Sequence, residues 1–351
     1  MKTSAFDYDL PPELIAQTPL KQRDQSRMLV CDRESGALRH SFFVDFPDLL
    51  SPGDVLVLNR SRVIPARLLG TRREGGIPCE VLLLRRLDRD CWEALVRPGR
   101  RLKAGVQVEF GGGLLRCEIG EPTAFGGRKI RFSYDGVFEE LLDTLGQMPL
   151  PPYIHERLED RGRYQTVYAK EEGSAAAPTA GLHFTDAVLE CVRARGVKVV
   201  SLLLHVGLGT FRPVKAVNVE DHVMHEEWFE LDAPAAEAVN AAREAGGRVV
   251  CVGTTSVRAL ESSADEHGRL SPMRGQTGIF ITPGYRFRAV DALLTNFHLP
   301  QSTLLMMVSA FMGRGNALAA YREAVREKYR FFSFGDCMFI AGGAPGGVRR
   351  D

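Results

Sequence analysis

The sequence predicts an α/β core, with a mixed or parallel sheet and helices, into which a small antiparallel β-barrel domain is inserted. After residue 160, helices and strands alternate, which is typical of a largely parallel sheet. Between residues 65 and 134, short β-type runs follow one another without a helix between them, which favours a barrel. We therefore predict a discontinuous α/β catalytic domain over residues 1–62 and 150–345, and a barrel domain over residues 63–149.

The first sixty residues predict a hairpin followed by a buried strand. Residues 28–31 and 38–43 flank a turn at Glu34-Ser35-Gly36, and Pro52-Gly53 introduces an apolar run at residues 55–58. Glycine-rich turns separate several of the β-type runs assigned to the barrel. These runs are residues 81–84, 92–96, 106–110, 114–119 and 129–132.

The rest of the chain predicts alternating helices and strands. Thr185 and Ser302 or Thr303 are suitable N-caps, and Gly146 and Gly196 suit helix ends. Residues 197–204 and 248–252 read as buried strands. The predicted helices are residues 138–145, 186–195, 234–245, 256–263, 304–312 and 317–329.

Composition excludes several classes of protein. The 351 residues are 44% hydrophobic and 25% charged with a net charge of +1, which excludes fibrous, disordered and histone-like proteins. The seven cysteines are scattered without zinc or iron–sulfur spacing. No signal peptide and no apolar stretch long enough for a bilayer is found. We expect a cytoplasmic monomer with free thiols.

Two loops with small residues allow a ligand to approach the backbone closely. Residues 176–185 precede a helix, and the alternative is a tight loop around a core histidine. Residues 204–213 follow a buried strand, at the sheet edge where α/β proteins bind ligands; the alternative is an ordinary turn. The polar side chains that these loops offer are Thr179, His183, His205, Thr210 and Arg212.

A third cluster, residues 221–228, contains two histidines and several carboxylates. The spacing of His222 and His225 predicts that they lie near each other on a helix. Together with Glu226 they resemble part of a metal site, but a third ligand and the His-Glu-x-x-His pattern are missing. We therefore predict no metal, and expect a general acid or base or a polar pocket wall.

Two further clusters lie at predicted helix starts. At residues 250–261 a strand leads through Gly253 into a helix whose N–H groups and hydroxyls suit a carboxylate or phosphate. At residues 294–304 polar side chains precede a capped helix and face the same crevice. The alternative is a well-capped helix for residues 250–261 and a capped loop packed on the core for residues 294–304. The predicted contacts are Thr254, Thr255, Arg258, Asn296, His298 and Ser302.

Two basic clusters are candidates for phosphate contacts. Arg100 and Arg101 lie in a loop near Pro98-Gly99. Arg326 and Arg330 continue a stripe that begins at Arg322, and every-fourth spacing predicts one helical face. A solvated surface face is the alternative explanation.

Together these clusters resemble one family, the S-adenosylmethionine:tRNA ribosyltransferase-isomerases. Further short motifs match the family in order from residue 6 to about residue 340, nearly the whole chain. They are Phe-Asp-Tyr-Asp-Leu-Pro-Pro at 6–12, Val-Ile-Pro-Ala-Arg at 63–67, Leu-Pro-Pro-Tyr-Ile at 150–154, Tyr-Gln-Thr-Val-Tyr at 164–168, Pro-Gly-Tyr-Arg-Phe at 283–287 and Tyr-Arg-Phe-Phe at 329–332.

The resemblance implies a reaction of queuosine biosynthesis. The ribosyl moiety of S-adenosylmethionine, a co-substrate, is transferred to 7-aminomethyl-7-deazaguanine at the tRNA wobble position and isomerised. Epoxyqueuosine forms, and adenine and methionine are released. His183, His205 and His298 are then the acid–base candidates. The groups that hold the methionine carboxylate or an RNA phosphate are then Arg212, Arg258, Thr254 and Thr255.

The chain departs from the family pattern at three places. Arg60-Ser61 stands where the family often has an acidic or amide residue and Thr, and Gly278 stands where Asp is common. His155-Glu156 replaces a more basic pair. Roles of the missing groups are not carried over to this chain.

Three other functions compete with this interpretation. A methyltransferase lacks support because the glycine-rich cofactor loop is missing. A non-catalytic RNA-binding module predicts a dominant basic surface, whereas the net charge is +1. A nucleoside hydrolase would release adenine without RNA. The products distinguish all three from the ribosyl transfer.

Overall fold

The computed structural model describes residues 1–123, 126–156, 158–207 and 214–342, which fold into a large mixed sheet with helices and a closed barrel. The strands are β1 (Arg27–Asp32), β2 (Leu38–Phe42), β3 (Val55–Asn59), β4 (Ser61–Val63), β5 (Arg67–Arg72), β6 (Pro78–Asp88), β7 (Cys91–Arg97), β8 (Gln107–Phe110), β9 (Leu115–Pro122), β10 (Arg128–Tyr134), β11 (Gly146–Gln147), β12 (Glu171–Ser174), β13 (Lys198–Leu204), β14 (Glu227–Leu231), β15 (Val249–Val252), β16 (Met273–Thr277), β17 (Ala292–Asn296) and β18 (Cys337–Ala341). The helices are α1 (Phe138–Leu145), α2 (Asp186–Ala194), α3 (Ala233–Glu244), α4 (Gly253–Ser263), α5 (Thr303–Met312) and α6 (Arg314–Arg326).

The large sheet has nine strands in the order β16-β14-β13-β3-β15-β17-β18-β1-β2. Its central strands β13, β3, β15 and β17 run parallel, whereas β14 and β16 continue the sheet antiparallel on one side. On the other side β18 is antiparallel to β17 and parallel to β1. Every residue of β3 and β15 is buried, as expected for parallel strands covered on both faces. The predicted α/β core is therefore confirmed.

Two apolar layers cover the large sheet. Val55 and Val57 point into a layer that contains residues of α3 to α6, and Leu56 and Leu58 point into one that contains residues of α2. This alternation follows from the period of two along a strand. In the described part of the chain no helix is long and apolar enough to cross a membrane.

The barrel is antiparallel throughout. Its six strands follow the order β5-β6-β7-β10-β9-β8, and pairing of β8 with β5 closes it. At this seam Gly70 lies against β8: a Cβ there would be 2.5 Å from the Glu109 carbonyl oxygen and from the Phe110 ring. Phe138 and Leu142 of α1 belong to the barrel's apolar core. The predicted barrel is confirmed, while the domain limits at residues 63 and 149 remain a prediction.

Some local predictions are correct and two are wrong. Thr185 and Ser302 cap α2 and α5 as expected. His222 and His225 do not lie on a helix, because the 3-10 turn Val219–Asp221 ends before them and the chain extends towards β14. The stripe to Arg330 is broken as well. Helix α6 ends at Arg326, and Lys328 (φ 53°) turns the chain away.

Candidate functional site

The parallel strands bring the polar clusters to one edge of the sheet. His205 follows β13, Arg60 follows β3, Thr254 follows β15 and His298 follows β17. Because these four strands are neighbours and run in one direction, their carboxyl ends meet there, as the rule for open α/β sheets requires. Two cavities of very different size lie along this edge.

The large cavity lies between the barrel and the core and measures about 1240 Å³. Arg85, Trp92 and Phe138 line it from the barrel side, and His205 and Trp228 from the core side. Sites for drug-sized ligands usually measure about 300–1000 Å³. The large cavity therefore has room for a nucleoside together with a second reactant.

His205 is held in the large cavity by packing. Its ring stacks on Trp228, with centroids 5.2 Å apart and planes inclined by 25°. Beneath it lies Gly173, where a Cβ would be 2.8 Å from Cε1 of the imidazole. The buried Nδ1 has no hydrogen-bond partner among the described residues. Burial lowers the pKa of His205 against the opposing effect of Glu171, so the ring is neutral near pH 7.

Glu227 forms a buried ionic cluster at the floor of the same cavity. Its Oε2 pairs with Nη1 of Arg258, while its Oε1 lies 3.2 Å from Nε2 of His225 and accepts the Gly207 N–H at 2.9 Å. Burial alone raises the pKa of Glu227, but Arg258 and His225 outweigh it and bring the pKa to about 2. The carboxylate is therefore ionised and hydrogen-bonded through both oxygens.

The predicted role of Arg258 as a ligand contact is not supported by this arrangement. Its Nε and Nη2 point to the carbonyl oxygens of Ile279 and Thr277, both at 3.3 Å, and the residue is 2% exposed. It borders neither cavity. The sequence places Arg258 on the same helix as Thr255 but gives no sign that Glu227 neutralises it.

A glutamine joins the barrel to the core at the cavity wall. Oε1 of Gln276 accepts from Nη1 of Arg85 at 2.9 Å, and its Nε2 donates to Oε2 of Glu226 at 2.5 Å. This amide orientation satisfies both partners. Arg85 is also 3.3 Å from Glu93 on the neighbouring barrel strand. The barrel and the core are therefore joined by side-chain hydrogen bonds beside the large cavity.

The small cavity measures about 60 Å³ and is rich in hydroxyl groups. The first turn of α4 contributes Thr254 and Thr255 to it, and Oγ1 of Thr255 is buried without a partner among the described residues. Ser302 lines it too, but its hydroxyl is engaged as the cap of α5. A space of this size accepts a carboxylate-sized group and excludes a nucleoside.

His183 lies outside both cavities, in a buried network. Asn296 donates to its Nε2 at 3.1 Å, so its Nδ1 carries the proton and donates to Ser26 Oγ at 2.7 Å. Thr179 in turn donates to Oδ1 of Asn296 at 3.0 Å. Burial, with Arg23 and Arg330 nearby, lowers the pKa of His183 to about 3. Both ring nitrogens of His183 are therefore engaged, one with Ser26 and one with Asn296.

His298 borders the small cavity. Its Nε2 is 2.8 Å from Thr295 Oγ1, and burial lowers its pKa to about 3. The backbone is fixed by two tyrosines, since Tyr321 OH accepts the His298 N–H at 3.0 Å and Tyr8 OH donates to its carbonyl at 2.5 Å. The ring is neutral and tightly held.

The remaining predicted residues are less uniform. His222 and His225 both border the large cavity, and Arg100 and Arg101 are exposed on a barrel loop. Thr210 and Arg212 lie outside the described residues. Among the described residues no group of three or more His, Cys, Asp or Glu is placed to hold a metal ion.

Two arginines of the predicted basic stripe have hydrogen-bond or ion-pair partners within the chain. Arg326 pairs with Glu323 at 2.5 Å and with Glu327 at 3.2 Å. Arg330 donates to the Thr18 carbonyl, and its own N–H donates to Asp336 at 2.8 Å. Arg330 thus lies beyond the end of α6 and does not share one helical face with Arg326, while the phosphate contact itself stays a prediction.

The structure shows what surrounds two of the departures from the family pattern, Arg60 and Gly278. Arg60 is buried, bonds Glu171 at 2.8 Å and donates to the Ser201 carbonyl at 2.9 Å, so it links three segments of the core. A Cβ at Gly278 would be 3.6 Å from Cγ of Glu226, an ordinary contact. Space for a side chain therefore exists at residue 278.

Glu227 and Trp228 are the site residues that the sequence prediction missed. In β14 the buried positions alternate as Glu227, Phe229 and Leu231. A carboxylate on the inward side of a strand is rare unless it is paired. That pattern is the signal that identifies Glu227.

The comparisons with known proteins agree with each other. Residues 3–340 match the family model described as "Queuosine biosynthesis protein". The chain is 60% identical to the S-adenosylmethionine:tRNA ribosyltransferase-isomerase of Symbiobacterium thermophilum and 57% identical to that of Caldanaerobacter subterraneus, with 97% of this chain and 100% of each relative covered. It also resembles the crystal structure of S-adenosylmethionine tRNA ribosyltransferase from Thermotoga maritima, with a TM-score of 0.56, 38% identity and coverage of 96% and 99%.

Proposed function

Because the chain belongs to the queuosine biosynthesis protein family, we propose that it is an S-adenosylmethionine:tRNA ribosyltransferase-isomerase. It transfers the ribosyl moiety of S-adenosylmethionine to 7-aminomethyl-7-deazaguanine at the tRNA wobble position and isomerises it. The products are epoxyqueuosine in the RNA, adenine and methionine. The family membership predicted from the short motifs is confirmed.

The observation that carries this proposal is the large cavity between barrel and core. Two reactants must meet in it, a nucleoside-sized sulfonium compound and a base that protrudes from RNA, and about 1240 Å³ accommodates both. Trp228 and His205 offer a stacked aromatic surface to a base. Carboxylates such as Glu172 and Glu226 line the same space and suit a sulfonium and an ammonium ion.

The acid–base and binding roles are assigned as follows. His205 fits proton transfer best of the three predicted histidines, because its buried Nδ1 has no described partner and its cavity holds both reactants. Thr254 and Thr255 fit the methionine carboxylate, which the start of α4 and Oγ1 of Thr255, a group without a partner among the described residues, would bind. His183 and His298 have a supporting role, through their contacts with Asn296 and Thr295.

The tRNA is proposed to contact the barrel. Between residues 67 and 134 the sequence has 14 Lys and Arg against 8 Asp and Glu, although the whole chain has a net charge of only +1. Arg100 and Arg101 lie exposed in that region. A local positive field of this kind attracts RNA phosphates. Cytoplasmic location and a monomeric state belong to the same proposal.

Product analysis tests the proposal. The purified protein is incubated with S-adenosylmethionine and tRNA that carries 7-aminomethyl-7-deazaguanine, and the nucleosides and small molecules are identified by mass spectrometry. We expect epoxyqueuosine with equal amounts of adenine and methionine. S-adenosylhomocysteine with a methylated nucleoside would overturn the proposal, as would adenine release that does not require RNA.

A further inference from the structure

We propose that Glu226 binds the cationic aminomethyl group of the tRNA base and so makes the enzyme specific for that base. The proposal rests on the function proposed above and names the residue that selects the RNA substrate. It starts from a carboxylate that lines the large cavity and is held by a side chain that also contacts the barrel.

The first argument is the pairing of charges around the large cavity. Six carboxylates of the described residues line it, and four of them are paired with an arginine of the chain. These four, each with an arginine nitrogen within 3.7 Å, are Glu93, Glu139, Glu172 and Glu227. Glu226 and Asp221 form no ion pair with any residue that the structure describes. These two carboxylates are therefore the ones with which a cationic substrate group can pair.

The second argument is the way in which Glu226 is held. Its Oε2 accepts a hydrogen bond from Nε2 of Gln276 at 2.5 Å, and Oε1 of Gln276 accepts from Nη1 of Arg85 on the barrel at 2.9 Å. The other oxygen of Glu226 has no hydrogen-bond partner within the described part of the chain, and the residue is exposed. Asp221, in contrast, is held within its own turn, where Asn218 donates to it at 2.9 Å. Glu226 therefore keeps one oxygen available at the junction of barrel and core.

The third argument is the chemistry of the cations that the reaction brings together. An ammonium ion donates hydrogen bonds, whereas a sulfonium ion has no N–H or O–H group, so a carboxylate with an available oxygen favours the ammonium. The methionine part of the co-substrate is assigned above to the small cavity, which Glu226 does not border. The remaining ammonium ion is the aminomethyl group of the base. It arrives on an RNA that is proposed to contact the barrel, the wall to which Gln276 joins Glu226.

The backbone beside Glu226 allows its charge to be tested separately from its packing. A Cβ at Gly278 would be 3.6 Å from Cγ of Glu226 and 3.9 Å from the Met224 carbonyl oxygen, which are ordinary contacts. Gly278 does not have a positive φ, so an aspartate there needs no strained backbone. A carboxylate at residue 278 would therefore lie beside the place of the Glu226 side chain, supplied from a second backbone position.

The experiment compares the affinities for two RNAs, tRNA that carries 7-aminomethyl-7-deazaguanine and the same tRNA with 7-methyl-7-deazaguanine, which lacks the cation. We expect the parent enzyme to bind the first RNA roughly 10- to 100-fold more tightly, the usual effect of a hydrogen bond to a charged group. Glu226→Gln should bind both RNAs equally, because the amide keeps the size of the side chain and removes its charge. The double variant Glu226→Gln/Gly278→Asp should regain part of the preference.

The matched control is Glu266→Gln, which removes a negative charge from a side chain that is 85% exposed and borders neither cavity. It should leave the preference between the two RNAs unchanged. The affinity of Glu226→Gln for S-adenosylmethionine should stay within about threefold of the parent, because the co-substrate is held elsewhere.

Several results would overturn the proposal. They are a parent enzyme that binds both RNAs equally, a Glu226→Gln variant that keeps the preference, and an equal weakening of both RNAs, which indicates a structural role. A larger loss of preference in Asp221→Asn than in Glu226→Gln would overturn it too, as would a double variant that regains nothing. If the parent enzyme makes no epoxyqueuosine, the proposed function fails instead, and the two failures are thereby distinguished.

Discussion

The two cavities lie along one sheet edge, yet they differ in how their polar groups are used. In the small cavity His298 lies 2.8 Å from Oγ1 of Thr295, Asn296 accepts from Thr179, and the remaining space is about 60 Å³. In the large cavity the polar groups face about 1240 Å³, and a separate buried layer around Glu227 supports them. The sheet edge thus concentrates polar residues, but a cavity large enough for two reactants forms only where the barrel supplies a second wall.

The largest effect is expected where the support of the large cavity is removed. Arg258→Met leaves the Glu227 carboxylate buried without its cation, which should cost about 3–5 kcal/mol of unfolding free energy. Urea unfolding measures it. The double variant Arg258→Met/Glu227→Gln removes both charges and should regain much of the loss. Equal losses in the two variants would show that packing, not charge, matters there.

The next effect concerns the reaction itself. His205→Phe keeps the aromatic contact with Trp228 but removes both ring nitrogens. We expect the single-turnover rate to fall on the order of 100-fold, because general acid–base groups contribute that much. The urea midpoint and the affinity for S-adenosylmethionine should stay near those of the parent. An unchanged rate would show that His205 is not an acid–base group of the reaction.

The buried histidines His183 and His298 should lower the free energy of unfolding at low pH. His183 has a pKa of about 3 in the folded protein and about 6.5 when unfolded, so between these values only the unfolded chain binds the proton. Stability should therefore fall as the pH drops from 6.5 towards 3, by up to about 1.4 kcal/mol per pH unit for each such histidine. Urea titrations at several pH values should show a shallower slope for His183→Asn and an unchanged slope for the exposed His267→Asn.

The smallest effect is expected at the small cavity. Thr255→Val removes a buried hydroxyl that has no described partner, so unfolding free energy should rise by about 1 kcal/mol. If this hydroxyl holds the methionine carboxylate, affinity for S-adenosylmethionine should fall about tenfold. Thr166→Val is the matched control, because its hydroxyl is likewise buried without a described partner but borders neither cavity. Unchanged affinity in Thr255→Val would remove the small cavity from the binding site.

The sequence predicts the architecture better than the wiring of the site. Alternating patterns, helix caps and glycine turns are local signals, and they identify α1, the cap Thr185 and the barrel strands. They also bring His205 and Thr254 to one edge, because strand direction decides which ends meet. Pairing depends on contacts between distant segments. Arg258 and Glu227 are 31 residues apart, and nothing local announces that one neutralises the other.

Similarly, spacing alone misplaces side chains when tertiary structure overrides it. His222 and His225 have helical spacing. The 3-10 turn nevertheless ends at Asp221, and the chain then leads into β14, which pairs with β13. Arg330 continues a helical stripe in sequence, yet Asp336 captures its backbone after the helix has ended. In neither case does the spacing in the sequence reveal where the helical turn ends.

The link from Arg85 through Gln276 to Glu226 has a consequence for how such enzymes can be recombined. Each of the three side chains belongs to a different segment, and the middle one spans from barrel to core. A chimera that takes its barrel from a relative would keep a continuous backbone. A shorter residue at 85 or 276 would nevertheless remove the hydrogen bonds that join the barrel to the core. Residues 85, 226 and 276 should therefore be exchanged together, so that both hydrogen bonds are kept.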